Sequence, residues 1–122
     1  MADEARMRAI FAQLRSILQQ FEPYLTVKVN TDDNYYLMAA DSPRWKAEVM
    51  FGAVQIKKGY VSYYLMPVYM YPDLLETISP KLRRRMQGKS CFNFKSQESD
   101  LWRDLTELTA RSFERFRVEN IP

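Results

Sequence analysis

Two amphipathic helical patterns, one at each end of the chain, most constrain what this sequence can fold into. In residues 4–22 the apolar side chains recur at steps of three and four, which places them on one stripe of a helix. A second stripe of the same kind runs from Ser99 to about Val118. Each stripe has to be buried against another element, so both helices are expected to pack on the residues between them. The predicted inward residues are Met7, Ile10, Phe11, Leu14, Ile17, Leu18 and Phe21 in the first helix, and Leu101, Trp102, Leu105, Leu108, Thr109, Phe113 and Phe116 in the last.

The residues after the first helix alternate in polarity, as a half-buried strand does. Leu25, Val27 and Val29 are expected on one face of this strand, and residues 35–40 form the next strand. The Asp-Asp-Asn sequence between the two strands is typical of a turn, because these side chains cap their own backbone. Residues 24–40 are therefore predicted to form a hairpin.

The rest of the middle segment continues this pattern. Residues 41–45 are predicted to form a loop, and residues 47–69 contain two more strands joined at Gly59. Short helices follow, the first at residues 71–79, and residues 91–94 make a fifth, short strand.

This order of elements predicts an α+β fold. Consecutive hairpins favour an antiparallel sheet of about five strands, with the N- and C-terminal helices packed on one face as a two-layer sandwich. The 122 residues match the length of one domain, so a single domain over 1–122 is expected. No apolar run reaches the roughly 20 residues of a membrane helix, and a single cysteine excludes an internal disulfide. We therefore expect a cytoplasmic protein that does not bind membranes.

The most decisive feature of the composition is that the chain has no histidine. This excludes imidazole general bases, Ser-His-Asp and Cys-His nucleophiles, and His-liganded zinc or haem. The single cysteine also excludes all-cysteine zinc sites and iron–sulfur clusters within one chain. We therefore expect a protein that is not an enzyme and carries no cofactor.

Residues 88–90 read Gly-Lys-Ser, which is the end of a phosphate-binding loop. Such a loop needs a glycine five positions earlier and lies between a strand and a helix. Arg83 occupies that position, and the neighbouring patterns predict a helix before the loop and a strand after it. Gly88 is thus expected to end a helix, and Cys91 to pack in an apolar strand rather than to act as a reactive thiol.

The strongest charge feature is the segment from Lys81 to Lys95. It contains six cationic residues and no acid, whereas the net charge of the whole chain is +3. Such a cluster is suited to contact the phosphates of nucleic acid or an acidic partner. A nucleic-acid surface usually adds exposed aromatics or a reading helix, so nucleic acid is not the expected partner. The opposing interpretation is that cations are simply favoured at the end of a short helix. The candidate anion-binding residues are Arg83, Arg84, Arg85 and Lys89.

Five acidic residues are candidates for a metal site. Clustered carboxylates bind hard or ferrous cations, although acids near a helix start also stabilise the helix dipole. The candidates are Asp32 and Asp33 in the hairpin turn, and Asp100, Asp104 and Glu107 on one face of the last helix.

The second face of the predicted sheet is rich in tyrosine and methionine. If the helices cover one face, then Tyr36, Met38, Tyr64 and Met66 lie on the other. Exposed aromatic and methionine-rich surface is typical of protein interfaces and small-molecule pockets, although tyrosine also favours strands in general. We therefore predict that this face binds a small ligand or a protein partner, with a homodimer as one form of the latter.

The run that begins YVSYYLM and ends CFNFK, together with the helix after it, resembles the YdhG-like family of small bacterial domains of largely unknown function. The features that carry the resemblance are a strand leading into Tyr71-Pro72, a helix, a Gly-Lys pair, a short strand ending at Phe94 and the last helix. The resemblance covers about residues 48–118 and implies a frataxin-like α+β sandwich. Because some members have been proposed as iron chaperones, it also implies iron handling as a possible role.

Taken together, the sequence predicts a binding or accessory domain that uses its Tyr- and Met-rich sheet face. The first alternative is an iron-handling, frataxin-like chaperone. The second alternative is nucleic-acid or anion binding through the Lys81–Lys95 segment.

Overall fold

The computed structural model describes residues 2–39 and 49–120, so the predicted loop at 41–45 lies outside the described residues. The two amphipathic patterns form the two long helices of the protein, α1 (Ala2–Gln19) and α4 (Ser99–Asn120). The strands between them are β1 (Thr26–Asn30), β2 (Asn34–Ala39), β3 (Val49–Ile56), β4 (Val61–Leu65) and β5 (Cys91–Phe94). The short helices are α2 (Met66–Met70), α3 (Pro80–Arg83) and two 3-10 helices at Glu22–Tyr24 and Pro72–Thr77.

The five strands form one antiparallel sheet in the order β1-β2-β3-β4-β5. Each strand therefore pairs with its neighbour in the sequence, as the predicted hairpins required. Gly59 has a φ of 89° in the turn between β3 and β4, a conformation that glycine adopts without strain. The predicted α+β class, with five antiparallel strands and helices at both ends, is confirmed.

One face of the sheet and the apolar stripes of α1 and α4 enclose the core. The predicted inward residues of both helices are buried, apart from Phe21 and Trp102, which are half-buried and pack against the core. A buried polar contact joins the two layers, because the hydroxyls of Tyr63 and Thr109 lie 2.7 Å apart. Thr109 donates its only hydroxyl proton to the carbonyl of Leu105, so Tyr63 donates to Thr109.

A bulge in β1 decides which of its side chains face the helices. Val27 pairs with Leu37 of the core face, but the register shifts at Lys28, and Val29 pairs with Tyr36 of the opposite face. The expectation that Val27 and Val29 share a face is therefore wrong. The reason is that one extra residue in a strand moves the following side chains to the other side of the sheet.

The chain leaves the sheet earlier than the alternation of residues 47–69 predicts. β4 ends at Leu65, and α2 begins at Met66 with Pro67 in its first turn. Proline cannot donate to a strand ladder but fits the first turn of a helix, which explains the change of structure at this position. The helix predicted at residues 71–79 is present as the 3-10 helix Pro72–Thr77.

Residues 85–87 cover part of the outer edge of β5. The N–H of Asn93 donates to the carbonyl of Arg85 at 2.8 Å, and the N–H of Gln87 donates to the carbonyl of Cys91 at 2.8 Å. Gly88, with a φ of 84°, lies in the tight turn between these two segments. The Gly-Lys-Ser sequence thus lies after a helix and before a strand, the reverse of a phosphate-binding loop.

β1 forms the other edge of the sheet. It is only five residues long, it contains a bulge, and it carries Lys28. These are features that hinder edge-to-edge pairing with another sheet. Within residues 2–39 and 49–120, no helix has the length and apolar character needed to cross a membrane.

Candidate functional site

The face of the sheet opposite α1 and α4 is the main candidate site, and we call it the open face. Its members follow from the register, since residues paired across antiparallel strands point to the same side. The twelve side chains of the open face are Thr26, Val29, Asn34, Tyr36, Met38, Met50, Ala53, Gln55, Ser62, Tyr64, Cys91 and Asn93.

One row of the open face crosses all five strands, in the order Val29, Tyr36, Ala53, Tyr64 and Cys91. Ala53 has no exposed surface, and the two tyrosines beside it are half-buried. The tyrosines lie two strands apart, which is about 10 Å, and the alanine between them is already covered. The partly exposed tyrosine rings, and not the alanine, are therefore the central part of this row that another molecule can contact.

A second row of the open face is polar and uncharged. The amide of Gln55 donates to Asn34 Oδ1 at 3.3 Å, and the hydroxyl of Ser62 donates to Asn93 Oδ1 at 2.7 Å. The amide and hydroxyl groups of this row include both donors and acceptors. The row can therefore hydrogen-bond to a neutral partner without bringing a charge into the contact.

The open face differs from a water-facing sheet surface in its charge. The chain contains 18 Lys and Arg and 15 Asp and Glu among 122 residues, yet Lys28 is the only charged residue in the five described strands. Lys28 is the extra residue of the β1 bulge and lies outside the paired register. Antiparallel sheets with one wet face usually alternate apolar and strongly polar residues, so the composition here is typical of a face that is covered.

Three of the four predicted binding residues lie together on this face. Tyr36 and Tyr64 flank Ala53, and Met38 lies beside Met50 in the neighbouring strand. The structure corrects the placement of Met66, which is the first residue of α2 and not a strand residue. Sequence reasoning did not identify Ala53 or the polar row, because their place depends on the bulged register of β2 and β3.

Cys91 ends the central row of the open face. Its thiol is half-buried and donates to Asn93 Oδ1 at 3.3 Å. Burial raises the pKa of the Cys91 thiol above its ordinary value, which disfavours the reactive thiolate at neutral pH. Phe92 and Phe94 take the opposite face and are fully buried, as the alternation of this strand predicts.

The four basic candidates do not form a single cluster. Arg83 and Lys89 line one cleft of about 620 Å³, whereas Arg84 and Arg85 line a different cleft of about 690 Å³. Arg85 is also paired, because its Nε and Nη2 donate to the two oxygens of Glu98 at 2.9 and 2.5 Å. The four basic candidates thus lie in two neighbouring clefts that share Met86, and one of the arginines is neutralised.

The Arg85–Glu98 pair predicts a measurable dependence of stability on pH. The pKa of Glu98 lies below its ordinary value of 4.5, mainly because Arg85 donates hydrogen bonds to it. The pair therefore stabilises the folded state above about pH 4.5, and this stabilisation is lost as the pH falls through the lowered pKa. Arg85 is 33% exposed, so screening by water limits the effect to about 1 kcal/mol.

As the pH falls from about 6 to about 3, the free energy of unfolding of Glu98→Gln is expected to decrease less than that of the wild type. Urea unfolding at a series of pH values measures this difference. Glu114→Gln is the matched control, because it makes the same chemical change in an exposed pair with Arg117 and should alter the pH dependence less. Equal acid sensitivity in the wild type and Glu98→Gln would contradict a role for this contact.

The five acidic candidates lie in two separate places. Asp32 and Asp33 line a cleft at the tip of the β1–β2 hairpin, and Asp100, Asp104 and Glu107 line another beside α3. Four of the five already accept an ion pair or hydrogen bond from a neighbouring group. In the part of the chain that the structure describes, no three cysteine or carboxylate side chains are placed together to hold a metal ion.

Fold and site together define an α+β two-layer sandwich with a charge-free sheet face that α1 and α4 do not cover. Comparisons of this chain with protein-family models, with curated proteins and with solved structures give no match.

Proposed function

We propose that this protein is a binding module that associates through its open face, and that its partner is a second copy of the same chain. The observation that carries the proposal is the absence of charge from the twelve open-face positions. In a two-fold dimer the same patch meets itself, so a charged patch would bring like charges together. A neutral face with both donors and acceptors has no such repulsion.

The side chains of the open face also support this proposal. Tyr36 and Tyr64 stand on either side of Ala53 and are half-buried, so part of each ring is available to the other subunit. Aromatic and methionine side chains are enriched at protein interfaces, and the open face contains two tyrosines and two methionines.

The size of the face sets the expected affinity. Five strands and about five residues along each strand make a surface of about 24 by 17 Å, or roughly 400 Å² per copy. Two copies would bury roughly 800 Å², which is below the range of about 1,200–2,000 Å² of stable interfaces. We therefore expect a reversible dimer with a dissociation constant in the micromolar range.

The test is sedimentation velocity over about 10–500 μM, the range in which a micromolar dimer dissociates. The wild type is expected to shift from monomer to dimer, and Tyr64→Glu to stay monomeric, because it places a charge opposite its own copy. Tyr69→Glu is the matched control: it makes the same substitution at an exposed tyrosine of α2 and should dimerise as the wild type does.

Two outcomes would overturn the proposal. One is a wild type that stays monomeric over the whole range, and the other is a dimer that Tyr64→Glu does not weaken. Far-UV circular dichroism of each variant shows whether the fold is intact. A monomer whose open-face amide signals shift on addition of a small molecule would instead support a ligand on this face.

We also propose that the chain is a YdhG-like domain that is not an enzyme and lies in the cytoplasm. The order helix, four strands, short helices, strand and long helix supports the family assignment. The lack of histidine supports the proposal that the chain is not an enzyme, and the single half-buried thiol supports a cytoplasmic location. Iron handling has less support, because the acidic candidates lie apart and most of them are already paired.

A further inference from the structure

A second site lies away from the open face, between the short helices and the turn before β5. It is a cleft of about 620 Å³, which falls in the usual range of about 300–1,000 Å³ for small-molecule sites. We call it the Tyr69 cleft. It is lined by Val68, Tyr69, Pro72, Leu75, Arg83, Met86, Gly88 and Lys89.

The floor and one wall of the Tyr69 cleft are apolar. Val68 and Leu75 are 1% and 8% exposed, so their side chains belong to the core and give the cleft a fixed base. Tyr69 is 56% exposed, although α2, the helix that carries it, packs against both α4 and β3. An exposed ring beside a preformed apolar floor is a surface on which a flat or aliphatic group can pack.

The rim of the same cleft is positively charged. Arg83 uses one of its five N–H donors, which reaches the carbonyl of Leu75 at 3.3 Å, and the others form no hydrogen bond with another described residue. Lys89 forms no ion pair with another described residue, and no acidic residue is among the described residues that line the cleft. The other three clefts each include at least one acid, so the Tyr69 cleft differs from them in its uncompensated charge.

We infer that the Tyr69 cleft binds a small organic anion with an apolar body and a carboxylate or phosphate head. The apolar body packs on Tyr69 and the floor, and the head contacts the Arg83 guanidinium and the Lys89 ammonium. The apolar floor supplies affinity that a bare inorganic anion cannot gain, and the cations supply affinity that a neutral compound cannot gain. Both parts of the ligand are therefore needed.

The experiment is an NMR titration of the ¹⁵N-labelled protein with three probes: 2-naphthoate, 2-naphthol and inorganic phosphate. Naphthoate has both the ring and the anion, whereas the other two have one each. We expect naphthoate to shift amide signals of residues 68–75 and 83–89 and to bind at least about tenfold more tightly than either of the others. 2-Naphthyl phosphate, added as a fourth probe, shows whether a phosphate head is preferred over a carboxylate.

Charge-neutral variants test the assigned contacts. Arg83→Gln and Lys89→Gln are each expected to weaken naphthoate binding by about three- to tenfold. Arg84→Gln is the matched control, because it removes the same charge one residue further on but lines the other cleft, and its affinity should stay within about twofold of the wild type. If Arg83→Gln disturbs the structure of α3, Lys89→Gln still tests the contribution of positive charge, because Lys89 lies outside that helix.

Three results would overturn the inference. Phosphate or naphthol binding as tightly as naphthoate would show that the two parts of the cleft do not act together. An Arg84→Gln variant as weak as Arg83→Gln would show that only the net charge matters. Amide shifts confined to the open face would place the ligand elsewhere, on the surface proposed for self-association.

Discussion

Replacing Phe51 by alanine is expected to lower the free energy of unfolding by about 3–5 kcal/mol, which is a large effect for a single substitution. Phe51 is fully buried, and its ring centroid lies 5.7 Å from that of Phe113 and 5.5 Å from that of Phe116. It also lies 6.0 Å from Phe21 at the end of the first helix. One side chain thus joins the sheet to the last helix and to a residue just after the first helix, and its removal leaves a cavity among packed rings.

Urea unfolding at neutral pH measures this loss. The control is Met50→Ala, one residue earlier in β3, whose half-buried side chain lies on the open face next to Met38. That variant is expected to cost only about 1 kcal/mol. An equal loss of unfolding free energy in the two variants would contradict the register of β2 and β3, in which a bulge turns Phe51 toward the helices.

The second large effect is expected at Gly52, where the polypeptide has no room for a side chain. A Cβ atom at this position would lie 2.9 Å from Leu18 Cδ2 and 3.0 Å from the backbone carbonyl of Tyr64. The leucine end can move, but the carbonyl belongs to the neighbouring strand and is held in the sheet. Gly52→Ala is therefore expected to cost about 2 kcal/mol and Gly52→Val about 3 kcal/mol or more.

Whether Gly52→Val raises or lowers the free energy of unfolding is informative, because valine is otherwise favoured over glycine in strands. Gly59→Ala is the control: nothing lies within 4 Å of a Cβ there, but the φ of 89° is strained for other residues. It should cost about 1–2 kcal/mol from backbone strain alone. Thermal and urea unfolding should rank Gly52→Val as the least stable of the three variants, and a stabilised Gly52→Val would contradict the close packing of α1 on β3.

Self-association and ligand binding, if both are observed, use different residues of the molecule. The open face is built from the strands, whereas the Tyr69 cleft is built from α2, the 3-10 helix after it, α3 and the turn before β5. The two proposals can be tested with independent variants, since Tyr64 belongs only to the first and Lys89 only to the second.

The elements of the fold were predictable because their patterns are local. Helical stripes and strand alternation repeat over a few residues, so α1, α4 and the five strands follow from the sequence with small errors at their ends. The turn at Gly59 and the cap of α3, where Ser79 Oγ accepts from the N–H of Leu82 at 3.1 Å, follow from single residues in the same way.

The candidate site was predictable only in part. Tyr36, Met38 and Tyr64 follow from alternation once the helices are assigned to one face. The four anion-binding candidates do not line one cleft, because the three consecutive arginines span the end of α3 and the turn that follows it. Their division into two clefts, and the pairing of Arg85 with Glu98, depend on how α3 packs beside β5 and α4.

The sequence alone determined the order and type of the elements, the antiparallel sheet, and the chemistries that a chain without histidine cannot perform, because periodicity and composition are properties of neighbouring residues or of simple counts. Only the tertiary structure decided the side to which each strand residue points after the two bulges. It also decided which cations are neutralised and that Tyr69, Arg83 and Lys89 share a cleft. These features depend on register and on contacts between distant segments, where a shift of one residue changes the result while the local pattern stays the same.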